Sequence, residues 1–125
     1  MNLNHKKGSA LVETAIILPL LVLIVFGICE FGWAMYVNNT LNNAAREGAR
    51  RAAVTPTPIN VSDHVRACLT FDYDESDLTI DTTTPAASGD PVTVTVTLRF
   101  HTFTRMFPLL DGKLLKGEAT MRYEL

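Results

Sequence analysis

With 125 residues, a formal net charge of −2 and 19% charged side chains, the chain has room for one long helix and one small domain. It carries no basic stripe that could hold phosphates, which argues against nucleic acid as a partner. Its two cysteines, Cys29 and Cys68, form no recognisable disulfide framework. One lies in an apolar span and the other in the outer domain, so both read as small apolar side chains.

Residues 1–8 form a short polar leader that holds His5, Lys6 and Lys7 and ends in Gly8. Residues 9–53 read as one long helix, membrane-spanning in its first half. From Ser9 the run is uncharged to Cys29 except at Glu13, and roughly 20 apolar residues suit a bilayer. Lys6 and Lys7 at the near end, with no further positive charge until Arg46, place the N-terminus in the cytoplasm by the positive-inside rule. The run is long for the core of a secretory signal and no A-x-A site follows it, so the helix is expected to be kept. Ser9 to Glu30 rises about 32 Å, which sets Glu30 at the far interface beside Phe31, Trp33 and Tyr36. Glu30 is therefore read as a boundary marker and not as a buried functional charge. Glu13 stands about a turn into the apolar run, where a lone carboxylate is costly unless it stays hydrated or finds a positive partner. Pro19 removes one backbone donor and should kink the helix.

Residues 38–53 carry the helix into water. Val37, Leu41, Ala44, Ala45, Gly48 and Ala52 recur at helical spacing and make a narrow face of small side chains that allows another backbone to come close. Two partners fit that face, this chain's own domain or a neighbouring helix. Arg46, Arg50 and Arg51 project away from it, and Glu47 is spaced to pair with Arg51.

Residues 54–125 are expected to form a small extracytoplasmic domain. After a break at Val54–Pro58, a second helix begins with Thr57 as cap and Pro58 in its first turn; Val61, Val65, Cys68 and Leu69 form its buried face, with His64 and Arg66 exposed. The acidic run at 71–77 spaces Asp72, Asp74, Ser76 and Asp77 somewhat as in a calcium loop. It lacks the loop glycine and has Thr83 where a closing glutamate belongs, so a solvated turn outweighs a metal site. Leu78–Thr82 alternates as a short strand. Val92, Val94, Val96, Leu98 and Phe100 alternate with Thr93, Thr95, Thr97 and Arg99 as the clearest strand, and His101 continues its polar face. A connection holding Met106, Phe107, Leu109 and Leu110 leads to a last strand from about Leu114 to Leu125, with Ala119, Met121, Tyr123 and Leu125 on one side. The fold class is α+β: a long N-terminal transmembrane helix continuing into a short helix on a mostly antiparallel sheet of about three strands. The tail is too small for a large core, so the upper part of the long helix is expected to complete it.

The first segment resembles type IV pilins and pseudopilins in Lys6-Lys7-Gly8, Ser9 to Val12, then Glu13. It is similar, more narrowly, to the TadE-like family of the tight-adherence (Flp-type) pilus system, in Gly8, Val12-Glu13, Leu18-Pro19-Leu20, Gly27, Glu30-Phe31-Gly32 and Asn43-Ala44-Ala45-Arg46-Glu47-Gly48-Ala49-Arg50. Thr14 departs from the pattern, where the family more often has an aromatic residue. The resemblance implies cleavage by a prepilin peptidase between Gly8 and Ser9. It also implies a new Ser9 ammonium that pairs with Glu13 of a neighbouring subunit, and a role for Pro19 when the helix enters a filament. The implied partners are that peptidase, other pilins and pseudopilins of the system, an inner-membrane assembly platform and the lipid bilayer.

No catalytic constellation stands out. His5, His64 and His101 are scattered, and no phosphate loop, zinc spacing or nucleophile elbow is present. The leading expectation is a non-enzymatic minor pseudopilin without cofactor, anchored in the inner membrane with its domain outside. The alternatives are a permanently anchored binding module that uses the Met106–Leu110 patch, and a tethered enzyme whose only site would be Asp72, Asp74 and Asp77.

Overall fold

The computed structural model describes residues 3–55, 58–104 and 108–124, without the side chains of residues 3–7, 58 and 59. Thr57, Met106, Phe107 and Leu125, named above, lie outside the described residues. Helix α1 runs from Leu3 to Val54 and helix α2 from Pro58 to Cys68. Three strands follow, β1 at Leu78–Thr82, β2 at Pro91–Arg99 and β3 at Leu114–Arg122. They form one antiparallel meander in the order β1-β2-β3. This is the expected α+β arrangement.

Helix α1 starts earlier than expected, because the polar leader is already helical from Leu3. Gly8 does not stop it, since a single helical glycine costs only about 1 kcal/mol. The helix also continues through Pro19. With 52 residues it is about 78 Å long, and the domain covers only its upper part. From Gly8 to Cys29 nearly every side chain is exposed, whereas Val37, Leu41, Ala44, Ala45, Ala49 and Ala52 are buried. The small-residue face therefore serves this chain's own fold, and Ala44, Ala45 and Gly48 are not free to meet a neighbouring helix. At the half-buried flanks of that face Thr40 and Asn42 return hydrogen bonds to the carbonyls of Tyr36 and Asn38, four residues back.

The strands follow their alternation. Val92, Val94, Val96, Leu98 and Phe100 are buried, and Thr93, Thr95 and Thr97 face the wetter side. The register stacks Leu78, Leu98 and Leu115 in one row and Ile80, Val96 and Gly117 in the next. On the far face Thr93 and Thr120 oppose each other, with hydroxyls 2.8 Å apart. The last strand ends at Arg122, short of the expected Leu125, because the chain then turns to cap the long helix. The Glu124 N–H donates to the Ala53 carbonyl at 3.1 Å, which satisfies one of the helix's last free acceptors.

Helix α2 lies beside α1 and gives Val61 and Val65 to the shared core, joined by Leu69 just past its end. Glu47 joins the two helices, but not through Arg51. Its carboxylate takes the Arg50 guanidinium at 2.6 Å and sits 3.3 Å from His64 Nε2. Arg50 delivers both Nε and Nη2, a fork that a carboxylate matches better than a single contact one residue further on. The hydrogen bond from Arg50, then that from His64, holds the Glu47 carboxyl below its usual value of 4.5. His64 is thus half-buried and engaged, where a free surface side chain was expected.

Two glycines set how closely the layers meet. A Cβ at Gly48 would come within 2.5 Å of Val65 Cγ2 and 3.2 Å of Val94 Cγ1. A Cβ at Gly117 would come within 2.5 Å of the Leu41 carbonyl carbon and oxygen and 2.7 Å of the Asn42 nitrogen. The first clash is with a side chain, but the second is with backbone, which cannot swing aside. Gly117→Ala should therefore destabilise the protein by about 1–3 kcal/mol, the usual cost of overpacking, and lower its Tm in a detergent-solubilised thermal melt. A surface exchange such as Thr120→Ser should leave the Tm nearly unchanged.

Candidate assembly site

The lower half of α1 offers a bare apolar rod with one exposed carboxylate, Glu13, along it and a second, Glu30, where the domain begins. Gly8, Ser9, Val12, Glu13 and Ile16 line one shallow stripe of its surface, as positions three or four apart must. Leu11, Ile17, Leu18, Leu20 and Leu21 are each more than half exposed around it. Thr14 turns its hydroxyl back to the Ala10 carbonyl at 2.9 Å and leaves its surroundings apolar. Ser9 and Glu13 are thus on one face, as the spacing predicts. Lys6 and Lys7 belong to the same helix, but their side chains lie outside the described residues.

Glu30 is a correction. It is not an exposed boundary marker but one of the most buried side chains in the chain, 1% accessible. The loop after β2 comes down onto it. The Phe103 N–H donates to Oε1 at 2.7 Å, the Thr104 N–H to Oε2 at 3.4 Å, and the Thr104 hydroxyl to Oε2 at 3.1 Å. All three groups donate, which suits an acceptor-only carboxylate, and burial without such partners would cost several kcal/mol.

The loop that Glu30 holds is fixed at its other end too. The Phe100 N–H donates to the Lys113 carbonyl and the Gly112 N–H to the Phe100 carbonyl, both at 2.8 Å. Gly112 makes that turn with φ +72°, a region open to glycine. The Thr102 N–H donates to Asp111 Oδ1 at 3.3 Å. Above Glu30 an aromatic cluster ties the helix to the segment after α2: Trp33 stacks on Tyr36 at 5.5 Å, and both meet Phe71 edge-on at 6.5 Å. The Tyr36 and Thr70 hydroxyls lie 2.8 Å apart.

The acidic loop has partners of its own. Asp74 accepts from the Ser76 N–H and hydroxyl, and its carboxyl is held low by the backbone N–H first. Asp77 lies 2.9 Å from His101 Nε2, whose Nδ1 is 3.4 Å from Asp111. Among the described residues no three potential ligands converge as a metal site would require. Cys29 and Cys68 are both free. Burial, and then the charge of Glu47, pushes the Cys68 thiol up. Of the expected Met106–Leu110 patch, Leu109 is exposed and Leu110 half-buried; Met106 and Phe107 lie outside the described residues.

Residues 8–50 match the family model described as TadE-like protein. The long helix is TadE-like from Gly8 to Arg50. That span is consistent with a TadE-like protein of the tight-adherence pilus system. No curated protein and no solved structure matches the chain. The TadE-like segment lies within the one helix among the described residues that is long and apolar enough to cross a membrane, and together they point to a membrane-anchored protein. The segment also contains Glu30, whose role a reading of the helix alone misses. The available signal was a carboxylate that breaks an apolar run, but its partners stand 73 and 74 residues away in sequence.

Glu30→Ala should leave the Phe103 N–H unpaired and cost about 1–3 kcal/mol. The check is amide hydrogen exchange, which should quicken at Phe103 and Thr104 while the β2 amides stay protected. Glu30→Gln keeps an acceptor and should show the smaller change.

Proposed function

We propose that this chain is a minor pseudopilin of a tight-adherence pilus or its secretion apparatus, working by association and not by turnover. The observation that carries the reading is a TadE-like helix whose lower half is bare, with Glu13 five places after Gly8 on an exposed stripe. In this reading a prepilin peptidase cuts between Gly8 and Ser9 and removes Lys6 and Lys7. Helix α1 stays in the inner membrane, its new N-terminus toward the cytoplasm and its domain outside. The Ser9 ammonium of one subunit meets Glu13 of the next, and in a low-dielectric span such a pair attracts far more strongly than in water. Other pilins and pseudopilins of the system bundle against residues 9–29, and an inner-membrane assembly platform receives the subunit. Pro19, which cannot donate to the carbonyl of Ala15, marks the weakest turn of the span.

Intact mass tests this directly, in cells with and without the cognate prepilin peptidase. Loss of residues 1–8 only when the peptidase is present is the expected result. An unprocessed chain in both strains would instead mark a permanent anchor, with the outer domain as a binding module. For the pairing, Glu13→Ala should insert at normal levels yet reduce assembled subunits by about tenfold or more, the loss that ~1.4 kcal/mol of contact energy implies. Normal piliation in that variant would sink the Ser9–Glu13 pairing.

A further inference from the structure

Strand β3 runs in the same direction as α1: Gly117 lies against Leu41, and the Glu124 N–H reaches Ala53 further along. The start of β3 and residues 108–113 before it therefore sit at the end of the domain nearest the bare part of the helix. There Phe103 and Thr104 meet Glu30. This same end exposes large apolar side chains, Phe103 at 86%, Leu109 at 81% and Leu114 at 66%. The Phe103 backbone is held by Glu30, so its ring is presented outward from a fixed point.

Glu30 closes the uncharged run of residues 14–29 and stands about 32 Å up the helix from Ser9. On the reading that α1 spans a bilayer, on which this inference rests, Phe103 is pinned at the depth of the outer polar boundary. Within about two turns above, Trp33 and Tyr36 are stacked on the helix, and such rings favour that layer. Isolated exposed apolar residues need no explanation, but a group of them at one end, continuous with a membrane span, does.

We propose that this end of the domain is a membrane-docking surface, with Phe103 and Leu109 seated in the interfacial layer of the bilayer that α1 crosses. Its occupant is a zwitterionic lipid surface. Among the described residues the charged groups around it are Asp74, Glu75, Asp77 and Asp111, offset in part by Arg99 and Lys113. That balance disfavours anionic headgroups, so apolar insertion carries the contact. Two attachments, the span and this edge, fix the tilt of the domain on the bilayer.

The test uses the full chain with Cys29→Ala and Cys68→Ala, reconstituted in phosphatidylethanolamine–phosphatidylcholine vesicles. One new cysteine at a time is labelled with an environment-sensitive fluorophore: Ile24→Cys in the span, Phe103→Cys and Leu109→Cys at the edge, Thr120→Cys on the far sheet face. Spin-labelled lipids should quench the Ile24 position deeply and the Phe103 and Leu109 positions at shallow depth. Aqueous iodide should quench Phe103 and Leu109 severalfold less than Thr120. If the Ile24 position is quenched by lipid but Phe103 and Leu109 respond to iodide as Thr120 does, the docking surface is refuted and the span stands. If Ile24 is not quenched by lipid, the spanning reading and the docking surface both fail. Protection of Phe103 in native membranes but not in vesicles would assign the edge to a protein partner and overturn the lipid assignment.

Discussion

Where β3 crosses α1, backbone meets backbone, and the rest of the domain depends on that approach. Gly117 leaves no side chain between the strand and the Leu41 carbonyl. Gly48 does the same for α2 and β2 on the next turn but one of the helix. With those two positions empty, a core of alanines and valines can close: Ala44, Ala45, Ala49 and Ala52 from α1 against Val92, Val94 and Val96 from β2 and Val61 and Val65 from α2. Such side chains fill space only when the layers are close, because each buries little apolar area by itself. A tail of this size could not build a core alone, and the long helix supplies the missing layer.

The second tie is of a different kind. Glu30 lies about 16 Å below Leu41 along the helix, beyond the reach of the apolar core. A carboxylate with three donors aimed at it is a directional contact, sensitive to where the loop sits and not merely to whether it is covered. The apolar core sets the distance between sheet and helix, while Glu30 sets how far down the helix the domain reaches. The aromatic group of Trp33, Tyr36 and Phe71 fills the interval between the two.

Much of this was legible in the sequence, for physical reasons. Leu78–Thr82 and the alternation from Val92 to Phe100 are local patterns that one buried face imposes, and both strands form as read. The buried face of α2 at Val61 and Val65, continued by Leu69 just past its end, follows from helical period alone. The small-residue stripe of α1 was legible as a close-packing face, but its partner was not, since period says which side is buried and not against what. Glu47 shows the same limit: i,i+4 spacing pointed to Arg51, while tertiary placement of His64 and the fork of Arg50 decided the contact. Gly117 gave no sign within a strand of mixed polarity. Glu30 was misread because a depth estimate treats the helix as alone in the membrane, and the loop that buries it lies far off in the chain.

The helix is thereby divided between two tasks that compete for surface. Above Val37 its inner face is consumed by the domain, so Ala44, Ala45 and Gly48 cannot also seat a neighbour without the domain unfolding. Below Glu30 no part of the described chain covers it. The length of α1 left bare for packing against another copy is residues 9–29, where Glu13 is the only charged side chain and twelve of the 21 residues are Leu, Ile or Val. In lipid such a surface gains little from apolar burial, because tails are as apolar as leucine, and association needs a polar or steric directive. Glu13 is the one group on that length able to provide a polar directive of charge.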